Sequence, residues 1–524
     1  MMLGVLVVVA LALAGAPLFS VLGAIGLLGF LTTGTPLTGA INDVYRLAGP
    51  EAVSLSTIPL FTFAGYMLAS AKTAERLVRM ANAILGWMPG GLAVMTLVVC
   101  AFFTTFTGAS GVTIVAVGGL ILPALLKANY SERFSLEVVT GSGAVGLLFP
   151  PSLPIIVYGI IYGLSSAHLA AEDPTHAFSI EKFLFAGIVP GLVLIGILAL
   201  YCVVQGVRYK VPRTSVDLGE FRRALWEAKW ELPIPFAIIG GLANGLMTIP
   251  ESAALTALYV LVIEVFIYKD ISLQRDLVRI ARESMTLVGA IFVKIACATI
   301  LTAYLINAEV PMKLFAWMSQ FVHDKATFLL LLNLMLLVVG CLMDIFSAIV
   351  VVVPLIVPAA HEFKIDPYHL GVIFLLNLEI GYLLPPAGLN LFIAAFRFNR
   401  PITSLYRAVL PFIVLMTVAL GLVTYVPSLV VVPKDKPRPG AVERVEPPAH
   451  EPKPTGAAGS KAGAAGSAGS RASDSYDDDD DDKGAAGAGS GGSGSGSGGS
   501  GGAKGAAGGA GKADTTTPGN YDED

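Results

Sequence analysis

The chain of 524 residues is 55% hydrophobic and only 14% charged, with a formal net charge of −4 and a mean hydropathy of +0.73. Soluble domains carry about 25% charged residues, so the composition excludes a soluble globular protein and indicates an all-α polytopic membrane protein. Four cysteines at unrelated spacings and six scattered histidines give neither a disulfide framework nor a metal-ligand pattern.

The first residues are apolar and lack the charged n-region of a cleaved signal. They read as a retained helix. Lys72, Arg76 and Arg79 then form a basic cluster, and Lys127 and Arg133 form the next. Basic loops stay on the cytoplasmic side, so both flanks of the apolar stretch 92–126 are cytoplasmic. The stretch must enter and return, as a re-entrant hairpin with its tip near Gly108-Ala109-Ser110-Gly111. A glycine- and proline-interrupted segment follows, Gly146 to Ser152, with Pro150-Pro151 inside it. The segment 166–181, with Glu172, Asp173 and Glu181, lies across the membrane. Residues 184–207 are long enough to cross a hydrocarbon core of about 30 Å.

The segment 208–229 carries Arg208, Lys210, Arg213, Arg222, Arg223 and Lys229 and is cytoplasmic, as are Arg275, Arg279 and Arg282. Residues 286–306 form a further span. In 327–360 both flanks lie on the outer side, which predicts a second hairpin of opposite direction with its tip near Asp344 to Ser347. Two ordinary spans in each place would put several basic loops on the wrong side. Gly381 to Gly388 carries the second proline pair, Pro385-Pro386, with Asn390 beyond. Arg397, Arg400 and Arg407 return to the cytoplasm, and 408–432 is the last span of a body covering 1–433. Residues 434–524 are rich in Gly, Ala and Ser and hold the run Asp477 to Asp482. Such a segment cannot bury enough apolar surface to fold and reads as a disordered low-complexity tail. It carries ten basic against fifteen acidic residues, so the body is close to neutral.

The two proline pairs share one offset with Gly146 and Gly381 and with Pro123 and Pro358. Together with the oppositely directed hairpins, this predicts two inverted repeats, about 56–207 and 286–432, joined by scaffold helices in 208–285. Proline removes a backbone donor and breaks the helix, and a broken helix at membrane depth is tolerated only where protein or a water-filled cavity covers it. Corresponding breaks in two halves point to a secondary transporter's binding site. Carbonyls freed before Pro150 and Pro385, the Ser152 hydroxyl, and the small residues Gly108, Ala109, Ser110 and Thr113 are candidate ion ligands. Plain kinks and close helix packing through small residues are the structural alternatives.

Four ionisable residues fall inside apolar segments: Glu251, Lys294, Asp344 and Glu379. Charges within the membrane are functional hypotheses by default. Lys294 is expected to pair with an acid, Asp344 or Glu379, while Glu264, near a helix end, snorkels or faces a neighbour. No phosphate-cradling loop, nucleophile–base signature or ATP motif is present, so no enzyme is expected.

These segments in this order resemble the large membrane subunit of tripartite ATP-independent periplasmic (TRAP) transporters, from about residue 15 to 432. The resemblance rests on Leu60 to Gly65, Gly86 to Leu92, the tip at 107–113, Pro150 to Ser152, Leu184 to Leu192, Thr248 to Ala253, Gly340 to Asp344, Asp366-Pro367 and Pro385 to Leu391. It implies a sodium-driven elevator importer of the ion-transporter superfamily, in a bacterial inner membrane. It implies an organic acid, a dicarboxylate or sugar acid, delivered by a periplasmic binding protein, and a separate small four-helix subunit. Sodium is then a coupling ion; no cofactor and no nucleic-acid partner are expected. By position, Gly108, Ala109, Ser110 and Thr113 with Gly146, Pro150, Pro151 and Ser152 would form one sodium site. Asp344 and Ser347 with Gly381, Pro385, Pro386, Gly388 and Asn390 would form the other, with substrate between the tips. Leu384 departs from the threonine usual before the second proline pair, which puts a hydroxyl ligand there in doubt. Ala109 and Gly111 also replace larger or more polar residues common at the first tip. The alternatives are a stand-alone divalent-anion or proton-coupled carrier of the same superfamily, and a non-transporting membrane scaffold that displays the tail.

Overall fold

A computed structural model describes residues 15–34, 36–47, 54–166, 178–211 and 217–433. All of them fall in one unit, Met1–Glu443. The expected retained helix at residues 1–14, Arg213, the acidic pair Glu172 and Asp173 and the tail 434–524 lie outside the described residues.

The described residues form helices and no strand. They begin with α1 (Leu18–Thr33), α2 (Thr38–Arg46), α3 (Thr57–Ser70) and α4 (Thr73–Leu85). A hairpin follows, α5 (Gly91–Thr107) and α6 (Ser110–Lys127), then α7 (Glu132–Ser142), a 3-10 turn over Val145–Leu148, and α8 (Leu153–Ser165). Next come α9 (Ile180–Ala186), α10 (Ile188–Arg208), α11 (Leu218–Glu227), α12 (Pro233–Ala243) and α13 (Ile249–Leu261), which runs on as a π-helical turn over Val262–Ile267. The long α14 (Asp276–Asn307) and α15 (Val310–Met318) precede a second hairpin, α16 (Lys325–Leu342) and α17 (Ile345–Glu362). A second interrupted helix, α18 (Pro367–Gly381) and α19 (Leu389–Phe398), and α20 (Ile402–Tyr425) complete the order.

Seven of the described helices are long and apolar enough to cross a membrane, or up to nine spans if each of two bent pairs is one. Large apolar side chains point outward in helical rows, such as Leu330, Leu334 and Val338 on α16 and Leu410, Val414 and Val418 on α20. Outward rows of this kind suit a protein whose solvent is lipid.

Local chemistry places the turns. Gly108 ends α5 at φ 61°, the left-handed region that glycine enters without penalty, and a Cβ there would strike Leu153. Asp344 begins α17 by accepting the Ser347 N–H at 3.2 Å, as Ser131, Asp324 and Asp366 do for α7, α16 and α18. The first break bends the chain by 44° between Glu132–Leu148 and Leu153–Ser165. Both proline pairs have cis peptide bonds.

The core lies where the hairpins meet the interrupted helices. Every residue of α18 from His369 to Gly381 is buried, so this helix is enclosed on all sides. Tyr158 on α8 joins Phe374 on α18 with ring centroids 5.4 Å apart and Phe183 on α9 at 5.1 Å. Aromatic packing thus ties the first interrupted helix to the second.

Candidate functional site

Each hairpin tip sits on the interrupted helix that follows it. At the first, Thr104 Oγ1 donates to the Gly143 carbonyl at 2.7 Å and is 2.8 Å from Thr113 Oγ1. Thr105 Oγ1 reaches the Gly146 carbonyl at 3.0 Å. Gly146 lies so close to the Ala101 carbonyl that no Cβ fits. At the second, the Tyr382 hydroxyl accepts the Ile345 N–H at 2.6 Å. Cys341 Sγ donates to the Leu384 carbonyl at 3.2 Å, and a Cβ on Gly381 would stand 2.5 Å from the Gly340 carbonyl carbon. Position 384 therefore presents a carbonyl, where the resemblance implied a side-chain hydroxyl.

The tips share a cavity of about 830 Å³, lined by Gly108, Ala109 and Ser110 from the first and by Asp344 from the second. Tyr66 of α3 and Arg279, Glu283 and Lys294 of α14 complete its polar wall. Ser110 Oγ donates to Asn390 Oδ1 at 2.6 Å, so the first tip also reaches the helix beyond the second break. Thr113, Gly146, Pro150, Pro151, Ser152, Ser347, Gly381, Pro385, Pro386 and Gly388 do not line this cavity.

Some buried polar atoms around the breaks have no partner among the described residues: Ser142 Oγ, Ser152 Oγ and Asn390 Nδ2. A buried polar atom without a partner costs about 1–3 kcal/mol, which makes these three atoms candidate ligand contacts.

The charges fall into four different situations. Lys294 Nζ contacts both oxygens of Asp344, at 2.9 and 3.0 Å; of the two expected acids, Asp344 is the partner. Glu379 is wholly buried, and neither carboxylate oxygen has a partner among the described residues. Glu251, read from the sequence as a charge within an apolar segment, stands in the first turn of α13. Its carboxylate accepts the Thr248 N–H at 2.7 Å in a capping box. The apolar neighbours that made it look internal belong to the helix it starts. Glu264 faces a neighbour: it is buried and lies 3.2 Å from Arg76 and 3.1 Å from Thr73 Oγ1.

Arg76 also holds Glu231 and Asp270, the latter at 2.6 Å, and its guanidinium lies 3.9 Å from the Tyr268 ring centroid. From the sequence Arg76 was only an orientation charge. The hydroxyls Thr104, Thr105 and Tyr382 were also missed. The one signal for Tyr382 was its place inside the second break.

The family model "Tripartite ATP-independent periplasmic transporter, DctM component" matches residues 3–429. The chain is 34% identical over 424 residues to the C4-dicarboxylate TRAP transporter large permease protein DctM of Rhodobacter capsulatus, covering 80% of this chain and 96% of that one. It is also 34% identical over 382 residues to the isethionate TRAP transporter permease protein DctMQ of Oleidesulfovibrio alaskensis. That match covers 72% of this chain and 58% of the relative, so the chain matches little more than half of that protein. The crystal structure of the Alcanivorax borkumensis YdaH transporter has a TM-score of 0.55 at 16% identity, covering 80% of this chain and 97% of that one; this likeness concerns the fold alone. The chain belongs to the DctM component family of the tripartite ATP-independent periplasmic transporters, a multi-pass membrane transport protein and not an enzyme.

Proposed function

We propose that this chain is the large permease of a sodium-coupled importer of small organic anions, working by an elevator movement of two inverted repeats. A periplasmic binding protein delivers the substrate, and a small four-helix membrane subunit braces the permease in a bacterial inner membrane. The observation that carries the reading is the cavity shared by the two hairpin tips, with Lys294 in its wall. An ionisable residue facing a membrane cavity marks a substrate or ion path, and a cation there suits an anionic substrate. The relatives named for a C4-dicarboxylate and for isethionate agree in charge, since both substrates are anions. Unpartnered Ser142 and Ser152 hydroxyls at the first break supply hard oxygen atoms for sodium.

Exposure along α14 supports an inward-facing state. The Arg279 side chain is 59% exposed and that of Lys294 is 21% exposed, so the cavity deepens from Arg279 towards Lys294. Arg275, Arg279 and Arg282 are cytoplasmic by the positive-inside rule, and the cavity accordingly faces the cytoplasm, the releasing side.

Proteoliposomes holding the permease, the small subunit and the binding protein should take up the binding protein's ligand only with an inward sodium gradient. Uptake unchanged when potassium replaces sodium would overturn the coupling. One observation favours a proton-coupled carrier as the second reading: the buried, unpartnered carboxyl of Glu379. Uptake driven by a pH gradient without sodium, and lost in Glu379→Gln, would select it.

A further inference from the structure

We propose that the Lys294–Asp344 pair couples the transported anion to the co-transported cation: a substrate carboxylate or sulfonate replaces Asp344 on Lys294, and the freed Asp344 carboxylate then serves as a cation ligand at the second tip. The proposal rests on the transport reading above and deepens it.

The two partners stand on different helices. Lys294 lies midway along α14, which packs against α1, α2 and α3 and also against α17, the helix that Asp344 caps. Asp344 lies at the tip of the second hairpin, against the second break. Their dependence on each other is unequal. Lys294 has no other ion-pair partner among the described residues. A bare ammonium at membrane depth is costly, so an anion must accompany it in every state. Asp344 is better provided. It caps α17 through the Ser347 N–H and accepts a hydrogen bond from the Ser347 hydroxyl. The positive end of the α17 dipole also favours its charge. Asp344 can therefore give up Lys294 and keep partners, whereas Lys294 cannot give up Asp344 without a replacement anion.

Charge balance closes the argument. Four charged residues among those described line the cavity: Arg279 and Lys294 against Glu283 and Asp344. The empty cavity is thus near neutral, and an arriving anion leaves it negative. Once Lys294 turns to the substrate, the excess negative charge is concentrated on Asp344, which becomes the natural place for a cation. Anion and cation then strengthen each other's binding. By linkage the factor is the same in both directions, commonly about 5–150-fold. Arg279, at the exposed end of the same helix face, draws the anion to the mouth without entering the exchange.

The test measures succinate and isethionate binding to the purified full chain in nanodiscs, by calorimetry, in sodium chloride and in choline chloride. For the unsubstituted chain we expect at least one anion to bind, about 10-fold or more tightly in sodium. Lys294→Gln should lose anion binding, while Lys294→Arg keeps it. Asp344→Asn should bind the anion in choline nearly as well as in sodium, the dependence falling below about 2-fold, because the competitor and the cation ligand leave together. If that variant loses its fold with its cap, Asp344→Ser retains a capping oxygen without the charge and serves in its place. Full sodium dependence in the Asp344 variants, wild-type anion affinity in Lys294→Gln, or no binding of either anion to the unsubstituted chain would each overturn the proposal. The transport reading fails separately: anion binding through Lys294 without sodium-driven uptake would sink that reading and leave this exchange standing.

Discussion

Arg76 shows how one residue changes meaning between sequence and structure. Counted as a loop charge it only orients the chain, yet it binds Glu231 and Glu264, whose side chains are wholly buried, and Asp270. Burial raises the Glu231 carboxyl above its ordinary pKa, and Arg76 opposes that shift. A raised carboxyl pKa withdraws stability at neutral pH and above, so the arginine offsets a standing cost. Arg76→Ala should therefore destabilise the folded protein by about 3–5 kcal/mol, the usual cost of leaving a buried charge unpaired. Arg79, whose partners Glu220 and Glu227 are exposed, serves as the comparison: Arg79→Ala should leave thermal unfolding in detergent nearly unchanged. Equal shifts for the two variants would show that the buried cluster is solvated. Lys294 belongs to the same lesson. Its need for an acid was legible from an ammonium inside an apolar span, but Asp344 and Glu379 were equivalent partners until the fold brought one to it and enclosed the other.

At the scale of elements, the turns were the most legible part of the chain. Gly108-Ala109 and Met343-Asp344 separate the paired helices where small or capping residues interrupt apolar runs, because these positions advertise their conformation locally. Helix starts inside apolar sequence were harder, and the capping role of Glu251 went unread for that reason. Contact between elements was not legible from spacing; only the family resemblance put each tip with its break. Gly340 and Gly381 touch through their backbones, and the two sides of that contact are unequally tolerant. A Cβ on Gly381 would stand 2.5 Å from the Gly340 carbonyl carbon, whereas one on Gly340 would meet Leu378 Cδ2 at 3.0 Å and backbone only at 3.1 Å, the Leu378 Cα. Gly381→Ala should thus lower the melting temperature more than Gly340→Ala, with overpacking worth about 1–3 kcal/mol at the worse site. The reverse order, measured by thermal unfolding of the purified variants, would contradict this packing of tip on break.

For the whole molecule, the family match covers residues 3–429 and the low-complexity segment begins at 434. Deleting 434–524 should leave uptake in reconstituted vesicles within about 2-fold of the full chain, because nothing in such a composition can build a packed site. Loss of uptake with normal membrane insertion would give the segment a part in transport and revive the scaffold alternative.

Membrane residence, the position of both tips, both breaks and the need of Lys294 for an acid were all readable from residues in order. Each depends on local chemistry: hydropathy over one span, a missing backbone donor, a capping side chain, the cost of a charge away from water. The fold alone chose Asp344 as the partner, joined Ser110 to Asn390, left Glu379 without a partner and gathered three carboxylates around Arg76. These outcomes join residues far apart in the chain, and nothing in the spacing of a sequence states which helix faces will meet.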